Sequence, residues 1–451
     1  MIVDQFGRPV TAKKPVTEEQ AVSWIRDRYI PYVSRGLTAD RLALISQEAD
    51  QGNIFRQAEL FQEMEEKDAH LASILQTRKL AVSGLNWEIS PASDDSRDKK
   101  VADACRQQLK GIEDFDETLH HLMDAVGKGF SVSEIMWETG PEYRIKELKP
   151  REQRRFTYFN MNFEQGILEV PRVLTPKEPV YGEELLPWKF IIHEYRAKSG
   201  TVPRSALLRP CTWLYLFKSY TLKDWVTFCE VYGMPLRLGY YNAGTPQADK
   251  DALIKAVTML GTDAAGIISD TTKIDFVETV KGTQGADVYK LFFDLLNNEM
   301  AKAILGQTLT SGTGGEKGGG KSFALGKVHD EVRMDLVKAD ARSLSRTIKH
   351  QLLRPYVLFN FGPDTPVPDF KLIVEDPKDL LNQIKIDAEA QKMGMKITEK
   401  YMRDTYGYPE VQADDEVLVP TPGAGNVDLG GEDGGAYKQT LKKNCLTSSR
   451  K

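Results

Sequence analysis

Gly306-Gln-Thr-Leu-Thr-Ser-Gly-Thr-Gly-Gly-Glu-Lys-Gly-Gly-Gly-Lys321-Ser322 is the stretch whose reading decides what kind of protein this is. Gly315, Gly320, Lys321 and Ser322 satisfy G-x-x-x-x-G-K-[ST], the phosphate-binding loop. Such a loop works where a buried strand feeds it and a helix begins at its Lys-Ser, so that backbone N–H groups and the helix dipole converge on phosphate. The residues before this one place apolar side chains at Val288, Leu291, Phe292, Leu295, Leu296, Met300, Ala303 and Ile304. That is helical spacing, and Gly306 is a stop signal. After it, Leu325, Val328, Val332, Leu336, Ala339, Leu344, Ile348 and Leu352 form a second helical stripe with charges on the other faces. A loop between two helices lacks the strand–turn–helix cradle, and a run so rich in glycine meets the motif by chance. The reading is a long loop tipped by its cations, Lys317 and Lys321, hung between helices at 287–305 and 323–353. The second helix would span about 45 Å, long enough to brace separate regions.

Working toward the N-terminus, Trp213-Leu-Tyr-Leu-Phe-Lys-Ser-Tyr-Thr-Leu-Lys-Asp-Trp-Val-Thr-Phe-Cys-Glu-Val-Tyr232 reads as a helix with apolar and aromatic groups on nearly all faces. A helix of that kind must be covered on all sides, by its own chain or by copies of itself. Gly233 and Pro235 end it. A strand (236–241), a helix (246–260) and two short strands (266–269, 274–280) then form a small β-α-β-β unit. Earlier, residues 1–16 read as an extended arm. Thr17 and Gln20 have capping-box spacing and predict a helix to about Tyr29. Helical patterns follow at 39–49, 54–66, 67–82, 97–110 and 115–127. Alternating segments at 84–91, 130–137, 143–148, 155–160 and 166–173 predict antiparallel strands. Beyond Pro363-Asp-Thr-Pro-Val-Pro368 come a strand (370–374) and helices near 378–392 and 398–405. Residues 413–451 are low in complexity and read as disordered.

A chain of 451 residues calls for several sub-domains, and 41% hydrophobic with 28% charged residues describes a globular protein. Cys105, Cys211, Cys229 and Cys445 show no paired spacing, which predicts reduced thiols in a cytosolic compartment, with Cys229 a core residue of its apolar helix. The start has no apolar core of signal-peptide length, and no run reaches 18 apolar residues, so no membrane segment is expected. Of six histidines only His120 and His121 are close, and adjacent helical residues point apart, so no metal site is expected. Asp94-Asp95 and Asp414-Asp415-Glu416 sit in polar, turn-rich stretches and read as solvated surface. No G-x-S-x-G elbow is present. The residues predict neither an enzyme nor a bound cofactor. Lys146, Lys149, Arg151, Arg154 and Arg155, beside Phe156 and Tyr158, could grip a nucleic-acid strand. A solvated edge is the competing reading, and a net charge of -5 supplies no broad basic face.

Two sets of residues carry a family resemblance. Glu66-Lys-Asp-Ala-His-Leu-Ala-Ser-Ile-Leu-Gln-Thr-Arg-Lys79 followed by Leu85-Asn-Trp-Glu-Ile89 resembles the N-terminal signature of Mu-like phage portal proteins. Ile304-Leu-Gly-Gln-Thr-Leu-Thr310, Ala324-Leu-Gly-Lys-Val-His329 and Ala339-Asp-Ala-Arg342 are similar to the same family. The resemblance spans about 40–375; the Gly-Lys-Ser match and the tail lie outside it. It implies a multi-domain α+β portal: a ring of identical subunits, usually a dodecamer, at one vertex of the virion head, assembled in the host cytoplasm. Double-stranded DNA would pass through its channel without sequence readout. The implied partners are the major capsid protein, the terminase large subunit and a head-tail adaptor. In those terms 17–209 would be the wing. Helices 210–233 and 285–305 would be the stem, with Trp213, Phe217, Tyr220, Trp225 and Phe228 at subunit contacts. Residues 234–284 would be the clip and 306–322 the tunnel loop, with Lys317 and Lys321 facing DNA. The long helix 323–354 and a C-terminal wing or crown region, 355–412, would complete the chain. A P-loop NTPase of the packaging machinery and a nucleic-acid-binding module are the alternatives.

Overall fold

The computed structural model describes residues 3–10, 14–22, 32–160, 162, 166–232, 237–242, 244–259, 265–269, 282–308, 321–374 and 380–407. Residues 309–320, which include Lys317, the strand expected at 274–280 and the tail 413–451 lie outside them. The chain divides into two units, Met1–Glu375 and Asp376–Lys451.

The first unit opens with three helices, α1 (Ala39–Asp50), α2 (Phe55–Lys67) and α3 (Ala69–Ser83). Strand β1 (Trp87–Ser90) follows, then α4 (Ser96–Lys110), α5 (Phe115–Leu122) and α6 (Ala125–Lys128). Next come β2 (Phe130–Glu138), β3 (Arg144–Arg151), β4 (Phe156–Thr157), β5 (Arg172–Val173) and β6 (Phe190–Glu194). The long α7 (Leu208–Tyr232) leads to β7 (Arg237–Tyr241), α8 (Gln247–Met259) and β8 (Ala265–Ser269). Then α9 (Gly282–Leu305), α10 (Lys321–Ile348), α11 (Arg354–Phe361) and β9 (Asp369–Leu372) complete it. The second unit holds α12 (Leu380–Lys392) and α13 (Glu399–Tyr406), joined by Tyr406 Oη donating to Asp387 Oδ2 at 2.6 Å.

The mixed α+β class is as expected, and the strands of the middle region pair antiparallel. β2 is the centre of a β3-β2-β6 sheet, and β1 pairs with β9 across 280 residues of chain, Trp87 opposite Leu372. The sheet separates two cores. Phe130 and Val132 of β2 point with Phe156, Phe190 and Ile192 into one. Ile135 and Trp137 point into the other, with Leu119, Leu344, Val357 and Phe370. This is why β2 is apolar or buried at nearly every position rather than at alternate ones. A third core joins α1–α3 to α7 and α9 through Leu60, Leu71, Leu75, Leu208, Tyr215, Met300 and Ile304.

Several sequence expectations are corrected. Residues 17–22 are not helical. The amides of Gln20 and Ala21 donate instead to Glu134, at 2.6 and 3.2 Å, so a buried carboxylate takes the donors a helix would have used. The stretches 155–160 and 166–173 contribute only the two-residue strands β4 and β5, paired Phe156 to Val173. β6, not foreseen, supplies the second neighbour of β2. Pro355 does not end the long helix. A π-helical turn, Lys349–Leu353, absorbs it, and the helix continues as α11. Proline removes one N–H and crowds the carbonyl four residues back, and a widened turn relieves both. α7 begins at Leu208, with Pro210 in its first turn, where a missing N–H costs nothing. Gly306 ends α9 as expected, at φ 69 and with its N–H donating to Lys302 O at 3.1 Å.

Candidate subunit interface on the paired helices

The glycine motif fails its context test. Among the described residues the element before it is the helix α9, and although α10 does begin at Lys321, no described strand delivers the loop. Among the described residues no cluster of metal-ligating side chains occurs. His120 Nδ1 lies 3.3 Å from Ser83 Oγ while His121 Nε2 lies 3.0 Å from Val132 O, so the two rings diverge. No described helix is long and apolar enough to cross a membrane.

The basic run at 146–155 is spent inside the chain. Arg151 binds Glu134 and Glu19, Lys149 reaches Glu19 at 3.2 Å, and Arg154 binds Glu59 at 2.9 Å and Glu152 at 2.7 Å. Its aromatic neighbours Phe156 and Tyr158 are fully buried. Lys146 is exposed on β3, and Lys149 is part-exposed while bound to Glu19. A strand-binding surface needs free cations and open rings, so that reading falls.

The distinctive surface belongs to α7 and α9, which pack against one another. Three polar contacts fix their base. Asp68 caps α3, accepting from the amides of His70 and Leu71 at 3.1 Å, and also holds Lys218 of α7 at 2.7 and 2.8 Å. His70 Nε2 lies 2.9 Å from Asn297 O of α9. Arg78 donates to Ile304 O at the end of α9 and pairs with Asp340 of α10 at 2.9 Å. Beyond Thr221 the two helices lean mainly on each other, Trp225 against Phe293 at 6.3 Å and Phe228 against Tyr289 at 5.6 Å.

Facing outward, the pair leaves large apolar side chains uncovered, on α7 in two groups on opposite sides of the helix, Trp213, Phe217 and Tyr220 on one and Leu222 and Val226 on the other. Trp213, Phe217, Tyr220, Leu222 and Val226 on α7 are 39–51% exposed. Val288, Leu291, Phe292 and Leu295 on α9 reach 68% exposure at Leu291. Trp213 and Phe217 lie one turn apart, ring centroids 6.4 Å from each other. The five aromatic residues singled out from the sequence therefore divide. Trp213, Phe217 and Tyr220 face outward, whereas Trp225 and Phe228 fill the seam between the helices. The sequence reading placed helix 285–305 in the same stem but singled out none of its residues, although its stripe at 288, 291, 292 and 295 was visible. Cys229, expected in the core, is exposed, because this half of α7 has cover on one side only. Cys105 and Cys211 are buried, and burial pushes both thiols up to about 12.

Exposed apolar side chains on two packed helices, beside a glycine-rich connection, are the kind of surface that a further chain could cover. The family model for the portal protein of Mu bacteriophage matches residues 58–408, and the chain belongs to that family. The Portal protein of Escherichia phage Mu is 30% identical over 426 residues, covering 93% of this chain and 81% of the relative. Mu-like prophage FluMu protein gp29 of Haemophilus influenzae is 30% identical over 431 residues, covering 93% and 80%. Among solved structures, a chain from the virion of a native gene transfer agent particle is 11% identical with a TM-score of 0.46, covering 75% of this chain and 90% of that one. A HK97 family phage portal protein from Corynebacterium diphtheriae is 10% identical with a TM-score of 0.35, covering 76% and 96%.

Proposed function

We propose that this phage portal protein works as a closed ring of identical copies at the head vertex, through which double-stranded DNA enters and leaves. The observation that carries the reading is the uncovered face of α7 and α9. Isolated soluble chains rarely leave so many large apolar side chains uncovered on one helix pair, and a rotationally symmetric ring, which gives every copy a neighbour on each side, covers them on every copy at once. In this reading α7 and α9 form the stem and β7, α8 and β8 the clip. The connection 306–322 reaches the channel with Lys317 and Lys321, and α10 braces stem to wing. Twelve copies, contacts with the capsid protein, terminase and adaptor, and assembly in the host cytoplasm complete the proposal. The chain acts as a structural conduit and catalyses nothing, the packaging motor being a separate protein. Negative-stain imaging of the purified chain tests it. Rings with a central hole are expected, and a monodisperse monomer at micromolar concentration would overturn the proposal.

A further inference from the structure

Away from the stem, α10 and its continuation carry a row of cations at Lys338, Arg342, Arg346, Lys349 and Arg354. Successive steps of three to five residues keep a row on one side of a helix. Between this row and β9 runs a groove of about 500 Å³, walled by Lys338, Arg342, Arg346, Lys349 and Lys371 and floored by Ala341, Leu372 and Val374. Its one acidic residue, Asp369, is already paired with Lys349. Arg342, Arg346 and Lys371 are exposed, and among the described residues none of them has a hydrogen bond or ion pair. Glu88, the cross-strand partner of Lys371, does not pair with it. His350 lies beside these cations. Its pKa is lowered first by desolvation and then by Lys349, Arg354 and Arg346. The chain as a whole carries a net charge of -5, whereas the groove gathers five cations around one acid. The Ser345 hydroxyl accepts from Leu372 N at 3.1 Å, which fixes the helix against the strand and holds the groove's shape.

We infer that this groove is a docking site for a short acidic peptide segment of a partner protein, its carboxylates on Arg342, Arg346 and Lys371 and an apolar side chain on the floor. Duplex DNA fits less well. Its outer surface is phosphate and sugar, so it would meet the cations and leave the floor uncovered. The volume is that of a small-ligand pocket, sized for a few residues of chain. Two guanidiniums on one helix face suit bidentate capture of carboxylates, and their mutual repulsion is relieved when an anion arrives. The inference does not depend on ring formation.

Fluorescence anisotropy with the full-length chain tests it, using labelled Glu-Leu-Glu-Leu-Glu as probe beside hexaglutamate, Lys-Leu-Lys-Leu-Lys and a duplex DNA. The Glu-Leu peptide is expected to bind at low salt and the Lys-Leu peptide not to bind. Arg342→Glu with Arg346→Glu should weaken binding at least about tenfold. Both side chains are exposed, so an unchanged sizing profile will show that the variant is folded. Arg342→Lys with Arg346→Lys should retain part of the affinity. Absence of binding, equal affinity for hexaglutamate, or loss of DNA binding rather than peptide binding in the reversed variant would each overturn the inference.

Discussion

Phe217→Asp should abolish assembly without unfolding the subunit. Phe217 lies on α7 with 43% of its surface exposed in the single chain, while Tyr215 and Leu216 beside it are buried and hold the helix. A phenylalanine offers about 200 Å², so a neighbour covering this exposed part would remove about 90 Å² from water. At ~25 cal/mol per Å² that is worth about 2 kcal/mol at each subunit contact. The aspartate forfeits that gain and adds the cost of burying an unpaired carboxylate, a further several kcal/mol. A closed ring repeats the loss at every interface. In the monomer the same substitution gives up the ~110 Å² already covered by its own chain, about 3 kcal/mol on the same footing, a loss that a partly solvated helix position can take without unfolding the subunit. Sedimentation velocity then separates the cases, with the unmutated chain as rings and the variant as a folded monomer whose thermal midpoint is lowered by a few degrees. Phe217→Leu, which keeps an apolar group, should still close. If Phe217→Asp formed rings at the same concentration as the parent, the outward face would not be the subunit contact.

Four further outcomes are expected. Asp68→Ala should cost about 3–5 kcal/mol, because it strands the buried Lys218 ammonium and uncaps α3; a thermal midpoint within a degree of the parent would refute the clamp. His193 is fully buried beside Thr347 and its pKa is lowered from 6.5 to about 4 by desolvation, so only the unfolded chain takes up its proton as pH falls through that window. Its contribution to stability is therefore complete above pH 6.5 and lost toward pH 4, amounting to about 2 kcal/mol by pH 5, and urea midpoints of His193→Gln should show a correspondingly flatter acid limb. Lys321→Ala should leave ATP hydrolysis at background, because α9 rather than a strand precedes the loop; a measurable activity abolished by that change would contradict the structural role. Replacing both Lys317 and Lys321 with alanine should leave rings intact while altering packaging or retention of DNA, since weak, sequence-blind phosphate contacts suit a conduit; normal packaging would make the loop's charge incidental, and failed assembly would make the loop structural.

The helices were legible because their stripes are long and their stops explicit. Gly306 ends α9 where its left-handed conformation requires glycine, and α2 and α3 follow their apolar spacing to within a residue or two. The misreadings share one cause, which is tertiary demand on short segments. The capping-box spacing of Thr17 and Gln20 yields to Glu134, a residue more than a hundred positions away whose buried carboxylate takes backbone donors from Gln20 and Ala21. β6 was hidden because only Phe190, Ile191 and Ile192 are apolar in it, between Lys189 and His193. Both of those polar side chains are buried in the folded chain, Lys189 with its ammonium 3.2 Å from Val16 O. The candidate interface was legible on α7, where aromatic residues crowd every face, and underestimated on α9. Which of the aromatic groups face outward depends on the phase at which α7 meets α9, and no single-helix pattern contains that phase.

Arg78 shows how the pieces are coupled. Its guanidinium donates to Ile304 O in the last turn of α9, pairs with Asp340 of α10 and reaches Tyr195 Oη at 3.0 Å, just past the end of β6. One buried side chain on α3 thus ties together the helix before the glycine stretch, the helix after it and the end of the central sheet. Glycine loses more backbone freedom on ordering than any other residue, so a connection built from it contributes little to holding its own ends. Those ends are instead held by the Arg78 node, whose pairing raises the Arg78 pKa despite the burial that opposes it. A lysine at 78 would keep the charge but could not make the fork to Asp340 while also reaching Ile304 and Tyr195. The physical consequence is a division of labour. The glycine-rich composition contributes little to holding the ends of the stretch, whereas the helices that flank it are held by a charge-assisted node in the core.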